Sequence, residues 1–117
     1  MKEWYASLDK LARLVPNDVL VLPSHNAPFF GLHERLAALR SGQDRALGRL
    51  REALTAGPQR IVDTFPALFN RPIGEQDPHQ LSLATGEAVA CMNFLMAQGA
   101  VQCTVDAQGV AWHTLAA

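Results

Sequence analysis

The chain has no lysine or arginine after Arg71. All ten basic residues lie in residues 1–71, beside seven acidic ones, whereas residues 72–117 carry only Glu75, Asp77, Glu87 and Asp106. The net charge of −1 therefore hides a basic front and an acidic back. Phosphate backbones are held chiefly by cations, so the back offers nucleic acid little. Cysteine is scarce as well, with Cys91 and Cys103 alone, both in apolar contexts. Two free buried thiols in a reducing cytoplasm is the plain reading, with a disulfide or a shared metal as alternatives. No Cys-x-x-Cys or His-x-x-x-His pair occurs, so a self-contained structural zinc site is not expected. There is no Gly-rich phosphate loop and no Gly-x-Ser-x-Gly elbow. No apolar run of about 18 residues exists, so no membrane span is expected. The start, Met1-Lys2-Glu3-Trp4, is not followed by an apolar stretch, and no signal peptide is expected.

What is present is enough apolar residue for a core, 49% of 117 residues, which suits one domain or one domain plus a fragment. Residues 3–14 read as an amphipathic helix, with Trp4, Leu8 and Leu11 at helical spacing, ended by Pro16-Asn17. Val19–Leu22 is a continuous apolar run, the pattern of a strand buried on both faces. A lone strand leaves backbone groups unpaired, so this opening segment needs a missing domain, a second copy or the rest of the chain. Leu32–Ala56 is a long helical pattern of about 37 Å. Leu32, Leu36, Leu39, Leu47, Leu50 and Leu54 form its stripe, and Ser41-Gly42 is a place where it could loosen. Its first half is expected to serve the segment before it and its second half the segment after it.

Gly57-Pro58 stops that helix. Gln59–Val62 reads as a short strand, Asp63 as the cap of a helix reaching about Phe69, and Asn70–Pro78 as a polar loop. A further helix runs from His79 to about Gln98, with Leu81, Ala84, Ala88, Cys91 or Met92, and Leu95 on its buried stripe and Gly99 as its cap. Val101–Val105 and Val110–Leu115, joined by Asp106-Ala107-Gln108-Gly109, signal a hairpin. Helix, short strand, helix, helix, hairpin is a winged helix-turn-helix order. The recognition helix and wing would hold no cation, so sequence-specific DNA binding is disfavoured.

The candidate for chemistry is His25. It follows the apolar run directly, in the turn Pro23-Ser24-His25-Asn26-Ala27-Pro28. Loops at the ends of buried strands commonly carry ligands, and imidazole suits zinc or iron. A loop or capping histidine is the alternative. His33, near the start of the long helix, reads as a capping, exposed or Glu34-contacting residue with metal binding as the lesser alternative, His79 as solvated, and His113 as a hairpin residue. Trp4, Tyr5, Phe29 and Phe30 line a groove or partner surface, or pack between the opening segment and the long helix.

This turn resembles the last metal-ligand segment of metallo-β-lactamase-fold hydrolases, where a strand ends in a Pro-Gly-His-Gly-Pro-like turn. Both glycines are replaced here, by Ser24 and Asn26. Asp63-Thr64-Phe65-Pro66-Ala67-Leu68-Phe69, Ala84-Thr85-Gly86-Glu87 and Phe94-Leu95 to Gly99 resemble the winged-helix domain appended to many of these hydrolases. The family's H-x-H-x-D-H motif is absent. The resemblance implies a mainly α (α+β) chain in three parts: a helix–strand–turn remnant of a metallo-β-lactamase αββα domain (1–31), a connecting helix (32–56) and a winged-helix accessory domain (57–117). It implies that His25 is the one metal ligand here, completing a site for zinc or another divalent ion in a longer parent, where two metals activate water for hydrolysis. The chain alone would be inactive, with no metal tightly bound. Its partner would be the missing catalytic domain, or a second copy docking through residues 3–40. A non-catalytic winged-helix dimerisation or interaction module is the alternative. A cytoplasmic location and no membrane contact complete the expectation.

Overall fold

Helical periodicity governs most of the chain. The computed structural model describes residues 1–117. Helices α1 (Lys2–Leu14), α2 (Leu32–Leu54), α3 (Phe65–Phe69) and α4 (Pro78–Ala97) precede strands β1 (Val101–Val105) and β2 (Ala111–Leu115). The strands form one antiparallel two-stranded sheet. The chain divides into two compact units, Met1–Asp44 and Arg45–Ala117, and the boundary falls inside α2. No helix is long and apolar enough to cross a membrane.

In the first unit, Leu8 of α1 meets Leu32 and Leu36 of α2, with Val15 and Val21 packed against them. Val15 ends α1 in an extended conformation, as the residue before a proline must to avoid the ring of Pro16. The run Val19–Leu22 does not make the expected strand. It forms a single antiparallel bridge, Val21 to Phe29, and Leu20 and Leu22 lie exposed at 53% and 74%. The one segment that returns beside it is flanked by Pro23 and Pro28, which have no N–H to extend a ladder. The aromatics divide similarly. Phe29 is half-buried with the Arg35 guanidinium 4.0 Å above its ring, while Phe30 is exposed and Trp4 meets the edge of Tyr5.

The second unit is built on the other half of α2. Leu47, Leu50 and Leu54 are buried with Phe65 and Leu68 of α3, Ala84, Ala88, Cys91, Met92 and Leu95 of α4, and Val101 of β1. Leu39 of the expected stripe is exposed, as is Leu83 on α4. At the end of α2, bonds tighten to three-residue spacing from Thr55 to Gly57, and Gly57 takes φ 131°. Arg49 donates to the carbonyls of Ala67 and Leu68 at 2.8 and 2.9 Å, satisfying groups that the short α3 leaves open.

Three expectations are corrected here. Gln59–Val62 is not a strand: only Gln59 pairs, with His113 on the outer edge of β2. Asp63 does not cap α3 either. Its carboxylate accepts from the Arg60 backbone N–H at 3.0 Å and from the guanidinium at 2.9 and 2.8 Å. That loop curls the chain into a 3-10 turn, Val62–Thr64. The caps of α4 come from Asp77, which accepts from the N–H groups of His79 and Gln80, and from Gly99. With φ 74°, Gly99 places its N–H on Met96 O and that of Ala100 on Leu95 O, a Schellman closure. Cys91 is buried as expected, but Cys103 is exposed; both thiols are free. The hairpin turn is held by Asp106, whose side chain accepts from Gln108 N, Val110 N and the Trp112 indole N–H at 2.9–3.0 Å.

Candidate functional site

The turn that carries His25 is closed by two backbone bonds, Val21 N–H to Phe29 O at 2.8 Å and Phe29 N–H to Val21 O at 3.1 Å. The residues between form a loop with His25 at its middle. Asn26 adopts φ 69°, in the left-handed region that glycine favours. Asparagine is among the few other residues to tolerate it, so Asn26 supplies the backbone shape that a glycine would. His25 itself is exposed. Its imidazole has no partner within the chain, so it faces whatever approaches from outside.

The base of the loop is set by a residue whose sequence signal is only that of a helix stop. Asn17 accepts from His33 N–H at 2.8 Å through its side-chain oxygen and donates to Glu34 at 3.1 Å. It thereby caps the first turn of α2 from a distance. His33 Nε2 lies 2.7 Å from Val15 O, so that nitrogen carries the proton and donates. His33 is thus a structural tie between the end of α1 and the start of α2, rather than a contact of Glu34. Further along, Arg40 pairs with Asp9, and Tyr5 donates to Asp44 at 2.6 Å. The Asn-to-histidine link spans 16 residues, a separation at which neither residue type signals the other.

The remaining histidines are not brought to His25 by any cluster. His79 starts α4 beside its cap. His113 is buried, with its ring Nδ1 3.4 Å from Gln59 O. No group of three or more His, Cys, Asp or Glu side chains is placed to hold a metal ion. The residues present do not by themselves make a metal site, since one imidazole leaves a zinc ion three ligands short. In the second unit a cavity of about 210 Å³ lies against α4, lined by Phe69, Arg71, Ile73, Gln80, Leu83, Ala84 and Glu87. It has no histidine or cysteine and is not a metal site.

Four helices, a hairpin and an exposed histidine on a strapped turn are thus the features to set beside known folds. The metallo-beta-lactamase-like, C-terminal domain family matches residues 47–116, and the chain belongs to that family. It is similar to a β-lactamase domain protein from Burkholderia ambifaria, with TM-score 0.87 and 34% identity, over 96% of this chain and 32% of that one. It also shares the fold of a metallo-β-lactamase family protein from Thermus thermophilus, with TM-score 0.73 and 23% identity, over 95% of this chain and 32% of that one. The chain thus spans about a third of the length of either structure. No curated protein matches it.

Proposed function

We propose that this chain is the C-terminal portion of a metal-dependent hydrolase of the metallo-β-lactamase superfamily, with His25 as its final metal ligand. The observation that carries the reading is the position of His25, exposed and unpartnered at the tip of a bridged turn with left-handed Asn26 behind it. The other ligands and the second metal-binding residues lie in the remaining two thirds of such a hydrolase, and the chain alone is inactive. In this reading residues 1–31 complete the αββα domain, 32–56 connect, and 57–117 form a winged-helix unit flanking the substrate pocket. The order α2, α3, α4 and hairpin, with Gln59 paired on the outer edge of β2, supports the winged-helix part. Zinc or a related divalent ion fits an imidazole ligand. Free thiols at Cys91 and Cys103 suit a reducing, cytoplasmic location.

The test is genetic and then chemical. The reading frame around this chain is followed upstream for H-x-H-x-D-H, and the long frame is expressed with His25→Ala. Bound metal and hydrolysis should both fall, by more than the roughly 10–100-fold that loss of an outer-shell partner costs. Unchanged metal content in the variant overturns the assignment.

A second reading is favoured by a separate observation. Seven of the eleven large exposed apolar residues, Trp4, Leu11, Leu14, Leu20, Leu22, Phe30 and Leu39, lie in the first unit. Such a concentration marks an interaction surface. It serves the absent catalytic domain in the first reading, and self-association in the second. DNA binding is disfavoured in both, because α4, β1 and β2 hold no lysine or arginine.

A further inference from the structure

The hairpin has one closed edge and one open edge. On β2, His113 directs its N–H and its carbonyl to Gln59, at 2.8 and 2.9 Å. It therefore gives neither to its cross-strand neighbour Cys103. In an antiparallel ladder the bonded and non-bonded pairs alternate. Asp106 N–H to Val110 O and Ala116 N–H to Ala100 O fix the same phase at both ends. So Gln102 and Thr104 bond to β2, whereas Cys103 and Val105 point both backbone groups away from it. Their side chains share the face of Val101. Val101 is buried, but Cys103 and Val105 are exposed, Val105 at 66%. The apolar face of the sheet thus runs out past the helices that cover it.

We infer that the open edge of β1 pairs with the same edge of a second copy, antiparallel about a two-fold axis at Thr104. This does not rest on the metal-ligand reading of His25, nor on the apolar surface of the first unit. Three features select a second copy as occupant. The pairing sets Cys103 against Val105 of the other copy twice over, covering the exposed apolar side chains with each other. It exchanges four backbone hydrogen bonds, using every outward group of Cys103 and Val105. It brings Thr104 opposite its own equivalent, a favourable cross-strand pair. No charge lies within Val101-Gln102-Cys103-Thr104-Val105, so symmetry places no like charges together. The devices that normally blunt an open edge, such as lysine, proline or an inward charge, are absent from the strand. The edge is a single five-residue strand, so the dimer is weak and concentration-dependent.

The test uses the full chain in reducing buffer, by sedimentation and amide exchange over a wide concentration range. A monomer–dimer equilibrium should appear, with the amides of Cys103 and Val105 slowing as concentration rises. Val105→Lys, at an exposed position, should weaken the dimer about tenfold or more. Leu22→Lys, in the first unit, should leave it unchanged. T104C should cross-link rapidly with diamide, because non-bonded antiparallel neighbours meet the spacing of a disulfide. A chain monomeric at millimolar concentration overturns the inference. So does a dimer that Leu22→Lys dissolves and Val105→Lys spares, which would assign association to the first unit. Amides at Cys103 and Val105 protected at every concentration would mean that another segment of the same molecule holds the edge, and would also overturn it.

Discussion

Asp106 shows how much one side chain settles. Its three acceptor bonds hold the hairpin turn, and they act by charge as well as by geometry. The Trp112 indole N–H first, then the Val110 N–H, hold its carboxyl below the usual carboxylate range. Asp63 is lowered likewise by its bonds from Arg60. A depressed folded pKa means stability that is present above the unfolded value, about 3.9, and lost as pH falls through the folded one. Acidification from pH 6 to pH 3 should therefore lower the melting temperature of the wild type more than that of Asp106→Asn, read by thermal unfolding at both pH values. At the other end of the chain, Asn17→Ala removes the remote cap of α2. It should cost about 1 kcal/mol, the usual value for a lost cap, measured by urea unfolding. His25→Ala, at an exposed residue, should leave the same unfolding curve in place, which separates a ligand from a structural residue.

At the scale of elements, α2 and α4 each carry a glycine that nothing in the fold requires. A Cβ at Gly48 or Gly86 would meet no atom within 4 Å. Gly48→Ala and Gly86→Ala should each stabilise by about 0.5–1 kcal/mol through helix propensity, seen as a raised melting temperature. Leu50, fully buried on α2, should behave oppositely, with Leu50→Ala costing about 2–5 kcal/mol. The helices and the hairpin were legible because their signals are local: apolar spacing in α1, Gly57 and Gly99 as stops, and Asp106 to Gly109 as a turn. The two expected strands were not, because pairing is a property of neighbours. Val19–Leu22 has a strand's composition but only Phe29 beside it, and Gln59 finds its partner 54 residues away. The turn around His25 was legible in outline. What replaces its second glycine, Asn26, takes the left-handed shape itself, which sequence alone does not display.

The whole molecule is uneven in its surface. The first unit exposes apolar residues that a domain standing alone would cover, and the second exposes few. If the first unit docks a catalytic domain, supplying that domain as a separate chain should yield a stable complex. Phe30→Asp or Leu22→Asp should weaken that complex at least about tenfold, as loss of a buried interface anchor does, read by size-exclusion chromatography or calorimetry. Equal binding by wild type and variants would remove this surface from the account. The charge asymmetry belongs to the same scale. Both lysines lie in α1, whereas β1 carries no charge, so salt should leave pairing of the β1 edge nearly unaltered, read by sedimentation at low and high salt.

The bridge between Gln59 and His113 also has a meaning for synthesis. The contacts of the first unit, such as Leu8 with Leu32 and Leu36, join residues made before any of the second unit. Gln59 cannot be fastened until His113, 54 residues later in the chain, has emerged. During that interval the Gln59 backbone groups that His113 will take stay open. A nascent chain stalled just short of β2 would hold the first unit's contacts but leave the second unit unfastened at Gln59, which makes the emergence of β2 the step at which a chaperone has most to do.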